Sequence, residues 1–150
     1  MFDTERVEKL PKEDNRLGTW ELLKFVSKGD DRGELVAIQN SSEIPFDIKR
    51  VYYLVNTKAG VIRGLHAHSN LDQVLIAISG SCRVSVDNSQ KKEEFLLDDC
   101  RVGLRIRNYV WREMFEFSQN CVLLVLANRF YDPNDYIRDY GIFLNKARGL

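Results

Sequence analysis

The sequence predicts an all-β domain, an antiparallel sandwich or barrel, with a short C-terminal helix. Three observations carry this. About ten short apolar runs, punctuated by Gly, Asn, Asp and Ser, follow one another closely up to residue 130. None of them holds a helical period long enough to form a helix. After residue 130 the apolar residues recur at helical spacing instead. At 150 residues, 44% of them hydrophobic and 29% charged, the chain fits one soluble domain, residues 1–150, with a real core.

Residues 1–15 are polar and mixed in charge and read as a leader with little structure of its own. Residues 19–25 open the strand pattern, residues 28–33 form a turn, and residues 34–39 return. A loop with Pro45 spans residues 40–47, and residues 49–55 are strongly β-prone. A turn at residues 57–60 leads into the stretch from Gly60 to His68. Residues 73–78 and 82–86 follow, the latter alternating cleanly, with one buried and one wet face. Further strands are expected at residues 94–97, 102–106, 110–117 and 121–127. Asp132 can cap and Pro133 can open a helical tail over residues 132–146, because proline at the first helical position loses no needed hydrogen bond. Tyr136, Tyr140, Phe143 and Leu144 would form its apolar stripe.

Composition excludes several roles. The 22 basic and 22 acidic residues cancel, and no long basic run is present, which argues against nucleic acid as a partner. No apolar run approaches the ~20 residues of a membrane span, and residues 1–5 do not open like a signal peptide. Cys82, Cys100 and Cys121 are widely spaced and odd in number, so they read as reduced, buried thiols of a cytoplasmic protein.

His66 and His68 are the chain's only two histidines. A strand puts both on one face, ~6.6 Å apart along the chain. The surrounding spacing is Gly60, five residues, His66-Ala67-His68, four residues, Gln73, six residues, Gly80. That pattern resembles the first motif of the cupin family, with glutamine where metal-binding cupins carry glutamate. Arg112 stands where their second motif would supply a further histidine. An amide oxygen is a weak ligand and a guanidinium repels a cation, so no metal is expected and general acid–base chemistry takes its place.

A closer resemblance covers residues 18–144. Arg50-Val51-Tyr52-Tyr53, Arg63-Gly64, His66-Ala67-His68, Gln73, Trp111-Arg112-Glu113-Met114 and the run from Tyr131 to Arg138 resemble the sugar-nucleotide 3,4-ketoisomerases. The resemblance implies a homodimeric, metal-free and cofactor-free cupin acting on dTDP-4-keto-6-deoxyglucose, in deoxysugar synthesis for surface glycans. It implies His66 as the base that takes the C3 proton, with His68 binding or relaying and Tyr52 donating to the enediolate oxygen. Tyr53 takes that place if strand parity runs the other way. Arg63 is suited to the diphosphate, although ideal alternation puts it opposite His66 unless Gly64 hosts a bulge, and otherwise it is a solvated arginine. Trp111 either stacks on the thymine or fills the core, and Gln73 and Arg112 contact substrate or each other. Residues 60–66 also resemble the dTDP-4-keto-sugar 3,5-epimerases, and a cupin that binds a sugar or nucleotide without turning it over is the third reading.

Overall fold

In the computed structural model, which describes residues 17–150, alternating apolar residues meet between two five-stranded antiparallel sheets. Among the described residues the strands are β1 (Trp20–Lys24), β2 (Ser27–Asp30), β3 (Gly33–Val36), β4 (Arg50–Leu54), β5 (Arg63–His68) and β6 (Gln73–Ser79). After them come β7 (Cys82–Asp87), β8 (Lys92–Leu97), β9 (Val102–Ile106), β10 (Trp111–Phe115), β11 (Val122–Ala127) and β12 (Tyr136–Ile137). One helix, α1 (Tyr140–Arg148), follows. The first sheet runs β1-β9-β6-β11-β4 and the second β12-β5-β10-β7-β8, while β2 and β3 pair apart as a hairpin. The leader expected at residues 1–15 lies outside the described residues.

Between the sheets, Leu75, Ala77, Val84, Val86, Leu104, Ile106, Leu123 and Val125 are all buried, each from an alternate strand position. Full burial of side chains of this kind stabilises by roughly 1.5–3 kcal/mol apiece. The chain between β3 and β4 crosses the outer face of the first sheet, where Ile44 and Phe46 pack with Val74, Ile76 and Leu126. Helix α1 covers the outer face of the second sheet, seating Phe143 against Ala67, Trp111 and Ile137.

Three local expectations are corrected. Residues 28–33 are not all turn: Ser27 to Asp30 pairs with Gly33 to Val36. The turn shrinks to Asp31 and Arg32, tied by an Asp30 carboxylate that accepts from the Arg32 backbone N–H at 2.9 Å. The tail does not turn helical at Asp132, which caps only a 3-10 turn at Pro133–Asp135. Tyr136 and Ile137 then pair with His68 and Ala67 at the edge of β5, and that pairing commits their backbone to the sheet. The helix begins later, with Asp139 accepting from Ile142 N. Of the thiols, Cys82 and Cys121 are buried, but Cys100 is exposed in the turn between β8 and β9.

The bulge that Gly64 could host is present. Strand β10 matches Arg112 to His66, then Glu113 to Gly64 and Met114 to Arg63, leaving Leu65 as the extra residue. Gly64 has φ +84° and Leu65 φ +58°, so the bulge is built in the left-handed region. A Cβ on Gly64 would stand 2.9 Å from the Arg112 carbonyl oxygen. Because directly opposed residues share a sheet face, the extra residue returns Arg63 to the face of His66. Gly60 has a similar φ of +81° but open space around it. We therefore expect Gly64→Ala to lose about 1–3 kcal/mol of unfolding free energy, and Gly60→Ala to lose less. Urea midpoints measure this; equal losses would mean that close approach to β10 is not what fixes glycine at 64.

Candidate active site

Polar side chains interrupt the inner face where β4, β5, β6, β10 and β12 come together. The bulge and the strand alternation aim His66 and His68 inward, with ring centroids 4.7 Å apart and ring planes at 84°. Tyr136 packs on both, at 4.9 Å from His66 and 4.5 Å from His68. Each histidine is pinned through Nδ1. His66 Nδ1 lies 2.9 Å from the Gly64 carbonyl oxygen, which can only accept, so in the neutral ring Nδ1 carries the hydrogen. His68 Nδ1 lies 2.9 Å from the Asp135 carboxylate. That carboxylate also accepts from Ser69 Oγ at 2.8 Å and Asn70 N at 2.7 Å. Both Nε2 atoms are therefore left with a lone pair, and His68 Nε2 is buried without a hydrogen-bond partner.

Both rings are held neutral. Burial comes first for His66 and the Arg112 charge adds to it, pushing its pKa down to about 4. His68, only 1% exposed, is pushed down further by burial and by Arg112. The Asp135 carboxylate thus meets the N–H of a neutral imidazole, not an imidazolium.

Arg112, from β10, is fully buried. Its Nε and Nη2 donate to the Val110 carbonyl at 3.3 and 3.1 Å, and Nη1 donates to Gln73 Oε1. Loss of water pushes its pKa down to about 10, so it stays a cation at neutral pH. Gln73 Nε2 in turn donates to the Tyr52 hydroxyl at 2.8 Å. Gln73 and Arg112 thus contact each other. Strand parity turns Tyr52 inward and leaves Tyr53 64% exposed, which settles which of the two joins the cluster. The Arg50 guanidinium lies over Tyr52 at 5.1 Å and Arg138 over Tyr136 at 4.3 Å.

Trp111 does not join the group. As the neighbour of inward-facing Arg112 it points the other way, and it is buried under α1 with Tyr140 at 5.2 Å and Phe143 at 5.7 Å. Two members were not placed in the site by the sequence: Asp135 received no role, and Tyr136 was read into the apolar stripe of a helix but lies in β12. Their partners lie far away in the chain (67 residues from His68 to Asp135), and they carry no local signal beyond the polar-aromatic run after residue 130. Among the described residues, no three His, Cys, Asp or Glu side chains converge as a metal cage. Gln73 and Arg112 supply an amide and a cation where ligands would be needed, so the donor set does not fit a metal.

Fold and site together define a cupin-type β-sandwich with neutral histidines, a phenol and a buried guanidinium in place of a metal centre. The chain belongs to the family described as FdtA: WxcM-like, C-terminal, which matches residues 19–148. A TDP-4-oxo-6-deoxy-alpha-D-glucose-3,4-oxoisomerase of Aneurinibacillus thermoaerophilus is 48% identical over 122 residues, covering 81% of this chain and 88% of that one. A 3,4-ketoisomerase from Helicobacter canadensis is similar in structure, with TM-score 0.83, 45% identity, and 86% and 97% of the two chains covered. So is a histidine-to-asparagine mutant of the 3,4-ketoisomerase QdtA from Thermoanaerobacterium thermosaccharolyticum, in complex with TDP-4-keto-6-deoxyglucose. Its TM-score is 0.86, its identity 42%, and 89% and 97% of the chains are covered.

The neutral histidines make stability depend on pH. Below the ordinary histidine value of 6.5 the unfolded chain binds protons that folded His66 refuses until about 4. The unfolded state holds more protons in that window, so stability is full above it and is lost as pH falls. Between pH 6.5 and about 5, where carboxylates are still largely ionised, we expect the urea midpoint to drop, and to drop less in His66→Asn. A flat midpoint over that range would show that the imidazoles are not held neutral by the fold.

Proposed function

We propose that this chain is a dTDP-sugar 3,4-ketoisomerase, its described residues working as a single cupin domain on dTDP-4-keto-6-deoxyglucose. The observation that carries the reading is the pair of neutral, Nδ1-pinned histidines beside a hydrogen-bonded Tyr52 and a buried Arg112. The C4 ketone acidifies the proton on C3. His66 is the base, being the more accessible of the two rings, and its free Nε2 lone pair takes that proton. An enediol forms, and a proton returned at C4 leaves the ketone at C3. His68, held by Asp135, supports from behind. Tyr52 serves the enediolate oxygen, and the Arg112 cation offsets the charge that develops there. Arg63, on the same strand face as His66, grips the diphosphate. No metal or cofactor takes part. The reading places the protein in the cytoplasm, where Cys82, Cys100 and Cys121 stay reduced and nucleotide sugars are made for glycans such as lipopolysaccharide O-antigen or S-layer glycan.

The protein is tested by incubation with dTDP-4-keto-6-deoxyglucose in D₂O, with chelator present, following the sugar carbons by NMR. The ketone should migrate to C3. Deuterium entry at C5 alone would mean epimerisation, and an unchanged sugar would mean binding without turnover. His66→Asn should slow migration by ~10²-fold or more with TDP binding nearly unchanged, and His68→Asn should cost less. The opposite order would exchange the two roles.

We also propose a homodimer. Among the described residues, β1 and β4 are the edges of the first sheet, and Val51 and Tyr53 on β4, with Val55 just past its end, expose apolar surface. Free edges of this kind are commonly covered by a second chain. Sedimentation should give twice the 17.5 kDa chain mass at micromolar concentration; a monomer there would overturn it.

A further inference from the structure

The hydrogen bonds running out from Arg112 have a direction, and chemistry alone fixes it. A guanidinium has donors and no acceptor. The Gln73 atom that meets Arg112 Nη1 must therefore be the carbonyl oxygen Oε1. The amide nitrogen is left facing Tyr52, and Nε2 donates to the phenol oxygen at 2.8 Å. Arg112 cannot turn to relax this order, because Nε and Nη2 are both held by the Val110 carbonyl. Gln73, at 1% exposure, is closed off from bulk solvent. The phenol oxygen is thus an acceptor within the protein. Its own proton has no acceptor among the described residues.

We propose that Gln73 is a positioning residue: clamped by Arg112, it obliges Tyr52 to present its hydroxyl proton outward, to an oxygen of the bound sugar. This rests on the ketoisomerase reading and gives Gln73 a duty other than touching substrate. The proton balance closes. As His66 takes the C3 proton, the C3–H electron pair becomes the C3=C4 double bond, and the C4 carbonyl pair moves onto O4. Tyr52 gives its proton to O4, and the tyrosinate is met by the Gln73 N–H and the Arg112 charge. When the C3 ketone forms, Tyr52 regains a proton from the O3 hydroxyl and C4 takes the one held by His66. The sugar loses hydrogen from C3 and O3 and gains it at C4 and O4, so C3 is oxidised and C4 reduced with no outside electron carrier. Burial raises the Tyr52 pKa, while Arg112 and the Gln73 hydrogen bond act against that rise.

Gln73→Glu tests the direction with little change in size. A carboxylate only accepts, so it would take hydrogen bonds from both Arg112 and Tyr52 and turn the phenol proton inward. We expect kcat to fall by at least ~10²-fold, with KM and TDP affinity within about threefold and an unfolding midpoint no lower than that of wild type. Tyr52→Phe should fall comparably, and the double variant should be no slower than the worse single one, because both remove the same donated proton. Wild-type kcat in Gln73→Glu, or losses that multiply in the double variant, would overturn the proposal. A second readout needs no turnover. In Gln73→Glu the Tyr52 phenol should titrate at higher pH than in wild type, followed through the isotope-labelled Cζ resonance that vanishes in Tyr52→Phe. An unmoved titration overturns the proposed direction. A wild-type protein that leaves the ketone at C4 overturns the ketoisomerase reading instead, and the two failures are separate.

Discussion

A guanidinium without water is the constraint on which the site depends. Arg112 is 2% exposed inside a sandwich whose other inward residues are mostly apolar. Burying a cation costs several kcal/mol unless hydrogen bonds and opposite charge replace its solvent. Its bonds go to a backbone carbonyl and an amide oxygen, both neutral, while the Asp135 carboxylate acts on it only through space, so no direct ion pair cancels the charge. A cation kept in this condition stabilises any negative charge that develops nearby far more than it would in water.

The same charge acts on three neighbours. It adds to burial in holding His66 and His68 neutral, the form in which a ring nitrogen can accept a proton. It works against burial at Tyr52. Through Gln73 it also decides which way the phenol points. A ring nitrogen kept neutral and a phenol oxygen whose anion is favoured are opposite requirements, and one buried positive charge works toward both because it repels a proton on nitrogen and favours an anion on oxygen, although at Tyr52 burial outweighs it.

Much of this was legible in the sequence, for reasons that can be stated. His66 and His68 lie in one short strand, where a period of two is reliable, so their shared face was readable from spacing alone. The bulge was readable because Gly64 breaks an otherwise regular run at the one point where Arg63 needs to change sides. Trp111 was ambiguous because both it and Arg112 were offered to the pocket, which neighbouring strand positions do not share; the burial of Arg112 on the inner face decides the parity of β10. The tail misled for a related reason. Asp132-Pro133 is a sound helix start by local rules, but the free edge of β5 claims Tyr136 and Ile137, and pairing with a strand distant in the chain outweighs a local cap. Asp135 went unassigned on the same ground, since its importance lies in His68, Ser69 and Asn70.

The strain at β5 fits this picture. Leu65 sits at φ +58°, where a branched side chain is uncommon and costs on the order of 1–3 kcal/mol. The gain is geometric. The extra residue lets one strand carry Arg63, His66 and His68 toward the same side, and its carbonyl at Gly64 fixes the His66 tautomer. A regular strand would give the histidines their shared face but would turn Arg63 away and withdraw that carbonyl. The bulge therefore links two features of the site, a cation on the strand face of His66 and a His66 ring with its lone pair on the outer nitrogen. That the chain tolerates a strained leucine to keep both argues that the register of β5 against Arg112 is set by the chemistry of the site more than by packing.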